Sequence, residues 1–218
     1  MIKPHEDFWK LFKNTKGAFS TAEAVALYNI VDSAKDGKFL ELGTHKGKSA
    51  LAIAWGIRSS CYSSLDLVEP EFSNTDWLKE VGKKVSDSTP YLKIKLIPNY
   101  SLNIIPDYDK LSFVFIDSGA HDDMVMDEVK ALDDKMIDGG IIAFHDFKNQ
   151  FTAVERAYNY LLSTGRYEEI KIDWDEIFAY VAENNLEEGN DSWHVYPELP
   201  HPPNFVGALR KKDDTRIY

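Results

Sequence analysis

Apolar and polar positions along the 218 residues alternate between helical and strand periods, and that alternation defines the elements. Phe8, Leu11 and Phe12 recur at helical spacing and predict a short amphipathic helix over residues 5–14. Ser20-Thr21-Ala22-Glu23 has the form of a capping box and opens a second helix to about Val31. Lys38 to Leu42 reads as the first strand, and Gly47 to about Ile57 as the helix after it. Cys61 to Leu67 alternates weakly and predicts a second strand with Asp66 at its end. Phe72 to Ser86 reads as helix, stopped by Pro90, and Leu92 to Ile97 as a third strand. Leu111 to Ile116 and Ile141 to Phe144 are nearly continuous apolar runs, as expected of strands buried on both faces of a parallel sheet.

Between those two runs, Val125, Val129, Leu132 and Met136 form one helical stripe, with Asp138-Gly139-Gly140 as its stop. Thr152 to Ser163 is a further helix with Val154, Ala157, Tyr158 and Leu161 on one face, and Tyr167 to Ile172 and Phe205 to Leu209 are the last two strands. Alternating strand and helix patterns predict a doubly wound, mostly parallel α/β sheet of seven strands with helices on both faces. The organisation expected is a single domain over residues 1–218. It has N-terminal helices at 1–35, a core at 38–172, an insert at 173–204 and the last strand at 205–211. The insert carries Trp174, Trp193, Tyr196 and a proline cluster, which suggests a cover over a bound acceptor.

Composition narrows the partners. A formal net charge of −11 repels phosphate backbones and argues against a nucleic-acid substrate. Cys61 is the only cysteine, so neither an intrachain disulfide nor a cysteine metal cluster is available. Residues Met1 to Lys16 lack a signal-peptide pattern, and no apolar run approaches the ~20 residues of a membrane span. A cytoplasmic protein acting on a small molecule without a membrane partner is the expectation, with self-association into a homo-oligomer left open.

The richest segment is Phe39-Leu40-Glu41-Leu42-Gly43-Thr44-His45-Lys46-Gly47-Lys48-Ser49-Ala50. It has the form of the first strand-to-helix turn of a nucleotide-binding sheet. A pyrophosphate calls for G-x-G-x-x-G, whereas here Gly43 and Gly47 stand apart and Glu41 precedes them. An acid in that place suits a ligand with a cationic amino group, such as S-adenosylmethionine (SAM). Ser49, near the helix start, could meet the ligand's carboxylate. Asp66, about 20 residues past the first glycine, is the candidate for the ribose hydroxyls. Phe113-Val114-Phe115-Ile116-Asp117-Ser118-Gly119-Ala120-His121 and Gly139-Gly140-Ile141-Ile142-Ala143-Phe144-His145-Asp146-Phe147 both end buried strands in polar residues. Asp117 and Asp146 should therefore converge at one sheet edge and repel each other unless a cation or proton lies between them. His121 and His145 are beside them as candidate bases.

In this order, ELGTHKGKSA, LDLVEP, FVFIDSGAH and GGIIAFHDF resemble the class I SAM-dependent methyltransferases. The nearest branch is the small-molecule O-methyltransferases, including the sugar and macrolide-sugar enzymes and the metal-dependent catechol type. The resemblance covers about residues 20–172 and the final strand, and implies a Rossmann-like methyltransferase fold. It implies that Glu41, Gly43, Thr44, Gly47 and Ser49 hold the methionine end of SAM and that Asp66 holds the ribose. Ser101 and Asp117 complete the cofactor set, and Asp117 and Asp146 match the family's metal acids. It further implies a divalent metal, Mg or Mn, on Asp117, His145 and Asp146, and catalytic roles for Asp117, His145 and His121. The sequence departs from the family in two places. His145 precedes Asp146 where an acid or amide usually adjoins the last-strand acid, and His121 stands one residue further from the first metal acid than the family's base does. A histidine in the shell favours manganese, iron or zinc over magnesium. The competing readings are an NAD(P)-dependent oxidoreductase, which would need the missing third glycine, and a non-catalytic protein that keeps the SAM fold for binding.

Overall fold

The computed structural model describes residues 1, 3–15, 17, 19–57, 63–69, 75–119, 123–147, 152–186 and 206–213. Strands β1 (Lys38–Leu42), β2 (Ser64–Val68), β3 (Lys93–Ile97), β4 (Leu111–Ile116), β5 (Met136–Phe144), β6 (Tyr167–Glu169) and β7 (Gly207–Lys211) form one sheet in the order β3-β2-β1-β4-β5-β7-β6. β1 to β5 are mutually parallel, and β7 runs antiparallel to both its neighbours. The order reverses between β1 and β4, and the carboxyl ends flanking that reversal are where open α/β sheets bind ligands.

Side-chain alternation divides the core in two. Phe39, Leu65, Leu67, Phe113, Phe115, Ile141 and Ala143 face one way. They pack against α1 (Glu6–Lys13), α2 (Thr21–Asp32), α3 (Lys48–Gly56), α4 (Thr75–Ser88) and α8 (Trp174–Glu183). Leu40, Leu42, Val68, Val114, Ile116, Ile142 and Phe144 face the other way, towards α5 (Ser101–Ile104), α6 (Met124–Leu132) and α7 (Thr152–Ser163). Every residue of β4 is buried, as its unbroken apolar run requires. The Ser20–Glu23 capping box is present, with Glu23 N–H donating to Ser20 Oγ at 3.2 Å and Ser20 N–H to Glu23 Oε2 at 2.6 Å. No helix among the described residues is long and apolar enough to cross a membrane.

Two elements differ from their sequence pattern. The stripe through Met136 is not one helix: α6 stops at Leu132, and Met136 opens β5 opposite Leu111. Strand pairing captures the segment, because Leu111 N–H donates to Lys135 O at 2.8 Å. Phe113 then pairs with Ile141, so the extra residues of β5 bulge, and Gly139 with φ +75° occupies the left-handed position. The second difference is α8, which lies inside the expected insert. Asp173 caps it by accepting from Glu176 N–H at 3.0 Å, and Ile177 and Tyr180 are buried in the core. Trp9 Nε1–H donates to Tyr180 Oη at 3.3 Å. Trp174, partly buried, packs on this same core. Trp193 and Tyr196 lie outside the described residues.

Because α8 is a core helix, Ile177→Ala should cost about 2–5 kcal/mol of stability, read from urea unfolding followed by circular dichroism. A lid helix would tolerate the same change with an unmoved midpoint.

Candidate active site

The turn after β1 is tightly held. Gly43 N–H and Thr44 N–H both donate to Val68 O, at 2.9 and 3.2 Å, and Gly47 N–H donates to Thr44 O at 2.9 Å. Gly43 has φ +89°, and a Cβ on it would lie 2.3 Å from Asp117 O; Gly47 has φ +80°, and a Cβ there would lie 2.4 Å from Val81 Cγ1. Both positions thus require glycine for the fold, independent of any ligand. The spacing that suggested a cofactor loop also records where the end of β4 and helix α4 press against it.

Glu41 stands on the face of β1 that Phe39 shares and is fully buried. Neither of its carboxylate oxygens has a hydrogen-bond partner among the described residues, nor does the buried hydroxyl of Thr44. Burial pushes the Glu41 carboxyl up to about 8; the hydroxyls of Ser49 and Thr44 pull it down, and the charges of Asp117 and Glu69 push it further up. At pH 7 it is therefore a neutral acid, which an arriving ammonium group would ionise. Ser49 and Ser101 are also buried, at the first turn of α3 and at the start of α5 after β3. An orphaned carboxyl and hydroxyl beside a helix N-terminus fit the ammonium and carboxylate of an amino-acid ligand such as the methionine end of SAM.

Asp66 is not at the end of β2. It is the middle residue of that strand, paired with Leu40, and its Oδ2 accepts from Tyr108 Oη at 2.5 Å. The strand end belongs to Glu69, whose Oε2 accepts from His45 N–H at 2.6 Å across the cofactor turn. The sequence held a signal for this in Pro70, which favours extended backbone at Glu69 and closes the strand there.

At the switch point the backbone of β4 and β5 delivers three groups together. Asp117 N–H donates to Leu42 O at 2.8 Å and His145 N–H to Ile116 O at 3.0 Å, which fixes both strand ends. One ligand atom each from Asp117, His145 and Asp146 lies within 4.8 Å of the others. His145 Nδ1 is 3.0 Å from Asp117 Oδ1 and 3.6 Å from Asp146 Oδ2, and Nε2 is 2.8 Å from Glu23 Oε1. Burial alone would lower the His145 pKa, but the Asp117 and Glu23 carboxylates more than offset it and hold it well above the ordinary value. An imidazolium there would donate at both nitrogens, to Asp117 and to Glu23. Phe19 and Phe115 flank the ring at centroid distances of 5.3 and 6.3 Å. Ser118 donates to the buried Glu128 at 2.5 Å, anchoring the turn after Asp117. His121 lies outside the described residues. Glu23 is the member that sequence reasoning assigned only to a helix cap.

Residues 40–147 match a family model described as a methyltransferase domain. The chain is a class I SAM-dependent methyltransferase. Among solved structures, a Corynebacterium glutamicum protein aligns at 12% identity and a TM-score of 0.66, covering 98% of this chain and 94% of its own. An O-methyltransferase from Bacillus cereus, solved with S-adenosylhomocysteine (SAH), aligns at 13% identity and a TM-score of 0.62, covering 97% and 94%. A TDP-rhamnose 3'-O-methyltransferase of calicheamicin biosynthesis aligns at 14% identity and a TM-score of 0.52, covering 86% and 76%. At these identities the likeness is one of fold. No curated protein sequence matches. The methyltransferase domain spans the loop from Leu40 and both clusters up to Phe147, so SAM takes the place of the nicotinamide cofactor weighed against it.

Glu41 generates a signed prediction for the methyltransferase. Its carboxyl ionises near 4.5 when unfolded and at about 8 when folded, so the ligand-free protein loses stability as pH rises through that interval. Glu41→Gln should remove this loss and make the ligand-free variant more stable than the parent at pH 8, by on the order of a few kcal/mol, with the difference vanishing towards pH 4.5. Between pH 6 and 7, SAH binding to the parent should release close to one proton, measured by calorimetry in buffers of different ionisation enthalpy. The variant should release none and bind SAH more weakly.

Proposed function

We propose that this methyltransferase moves the methyl group of SAM to a hydroxyl of a small molecule, of the sugar or aromatic-ring class, with a divalent cation held by Asp117, His145 and Asp146. The convergence of two carboxylates and an imidazole nitrogen beside the cofactor turn carries the reading. A sugar acceptor is favoured by the TDP-rhamnose enzyme among the structural neighbours. A net charge of −11 favours a small acceptor over a nucleic acid and suits a cytoplasmic enzyme.

In such a transfer the oxygen–carbon bond forms as the carbon–sulfur bond breaks in line with it; the sulfur keeps the electron pair, and the hydroxyl proton leaves to a base. The protein's main contribution is alignment. Glu41 and the amides at the start of α3 would hold the amino-acid end of the cofactor, and Glu69 would take the ribose hydroxyls in place of Asp66. Asp117 lies between the two halves of the site, since its backbone packs on Gly43 and its carboxylate reaches His145. Two acids and an imidazole suit manganese, iron or zinc better than magnesium. A cation there would supply Lewis-acid polarisation of the hydroxyl. With His145 engaged as a cation ligand, proton removal falls to another group, and His121 remains the candidate.

Three variants separate the roles. Glu69→Ala should weaken SAH by roughly ten- to a hundred-fold, the loss of a charged hydrogen-bond partner, whereas Asp66→Asn should leave SAH affinity unchanged. Asp146→Asn keeps a residue that tolerates the left-handed backbone found there and removes one charge. It should lower Mn²⁺ affinity by at least about tenfold with SAH binding intact. SAH release from sugar-nucleotide and catechol acceptors, assayed with and without chelator, checks the whole. Full activity in excess chelator would exclude the cation.

A further inference from the structure

Glu23 does two jobs with two oxygens. Oε2 accepts the backbone N–H of Ser20 at 2.6 Å as the third helical residue of a capping box, and Oε1 lies 2.8 Å from His145 Nε2. The side chain is 5% exposed, far more enclosed than capping a surface helix needs. It reaches the site from α2, across the face of the sheet from the strand end that carries His145. Phe19 packs against the same ring at a 40° tilt, and the imidazole lies with Nε2 towards Glu23 and Nδ1 towards Asp117 and Asp146.

We propose that Glu23 is a positioning residue that accepts the Nε2–H of His145 and so leaves Nδ1 as the ring atom presented to Asp117 and Asp146. This rests on the reading of that cluster as the transfer site. A carboxylate is acceptor-only, and Glu23 therefore tolerates a hydrogen on Nε2 and disfavours a lone pair there. Asp117 Oδ1, 3.0 Å from Nδ1, is acceptor-only as well, so a cation joining Asp117 and Asp146 would draw the lone pair to Nδ1 while Glu23 holds the remaining hydrogen on Nε2. With the opposite tautomer Nδ1 would carry hydrogen and could neither ligate a cation nor receive a hydroxyl proton. A carboxylate behind a ligating histidine fixes ring and tautomer in this way and raises the basicity of the other nitrogen. Glu23, Asp117 and Asp146 are charged groups that face the ring.

Glu23→Gln distinguishes capping from positioning. Glutamine serves a capping box as well as glutamate does, so a purely structural Glu23 would be replaced at little cost. Its amide, however, offers one oxygen and one NH₂. If the oxygen keeps Ser20 N–H, the NH₂ donates to Nε2 and drives the ring hydrogen to Nδ1. Long-range ¹H–¹⁵N spectra of the histidine side chains, with His145 assigned through His145→Asn, read this directly. They are recorded with Zn²⁺ bound and, metal-free, at a pH high enough to neutralise the ring. With Zn²⁺ bound, the parent should show hydrogen on Nε2. Metal-free, the variant should carry a larger share of the ring hydrogen on Nδ1 than the parent does; it should bind Zn²⁺ about ten- to a hundred-fold more weakly and bind SAH as the parent does. Metal-free tautomer populations unmoved by Glu23→Gln would overturn the proposal, as would an unchanged Zn²⁺ affinity where the parent binds Zn²⁺. Ser20→Ala is the control, expected to lower stability and leave the tautomer alone. A parent that takes up no Zn²⁺ sinks the cation reading only, since the metal-free spectra still decide on Glu23.

Discussion

Parallel strands deliver their last residues to one edge, and in this chain four of those deliveries are acidic. Glu41 and Asp117 come from the two central strands, Asp146 follows β5, and Glu69 follows β2. Glu23 joins them from α2. Such a concentration of negative charge cannot stand uncompensated in a partly buried place. The structure offsets it in two ways. Glu41, buried and facing the charges of Asp117 and Glu69, is kept as a neutral acid up to about pH 8. Asp117 and Glu23 share the positive charge of His145. The first arrangement is open to exchange, since a ligand ammonium can replace the proton on Glu41.

The N-terminal segment belongs to this site and does not merely decorate a sheet edge. Lys48, the first residue of α3, donates to Phe19 O at 3.1 Å and lies over the Phe12 ring at 4.7 Å. Phe12 is buried with Phe8 and Trp9 in the core that α8 completes, and Phe19 packs on His145. A chain of contacts therefore joins the cofactor turn, the link between α1 and α2, and the imidazole. The same link carries Ser20 and Glu23, so the capping of α2 and the orientation of His145 depend on one short stretch of chain.

Strong periodicity made most of the fold legible. β1 and β4 and helix α7 have the limits that their apolar runs indicate, because burial on fixed faces leaves little freedom in register. The errors fall where local pattern and long-range pairing compete. Met136 fits the stripe of α6 but is taken by Leu111 across the sheet, and the stop at Gly139-Gly140 is a strand bulge. The helix α8 was hidden because Trp174, Tyr180 and the acids around them look like an aromatic loop, although Asp173 and Glu176 mark its cap. At the site, Asp117, His145 and Asp146 were legible because strand ends of a parallel sheet must meet. Asp66 was misplaced by two positions of strand length, and Glu23 was invisible in its second role, since nothing in a linear sequence says which helix N-terminus faces which strand end.

The backbone adds a last constraint on the cluster. Successive residues of a strand point to opposite faces, so His145 and Asp146 would diverge if β5 simply continued. Instead Asp146 has φ +56°, in the left-handed region that a non-glycine residue occupies only at a cost of ~1–3 kcal/mol. That turn lets two adjacent side chains reach the same small volume as Asp117. His45, in the cofactor turn, has φ +41° and presents its N–H to Glu69. Lys110, before β4, and Asn185, after α8, hold the same left-handed conformation away from this edge, so such backbone is not peculiar to the site. At Asp146 it has a distinct consequence, because aspartate is among the residues that bear the conformation best and the turn brings its carboxylate beside His145 and Asp117.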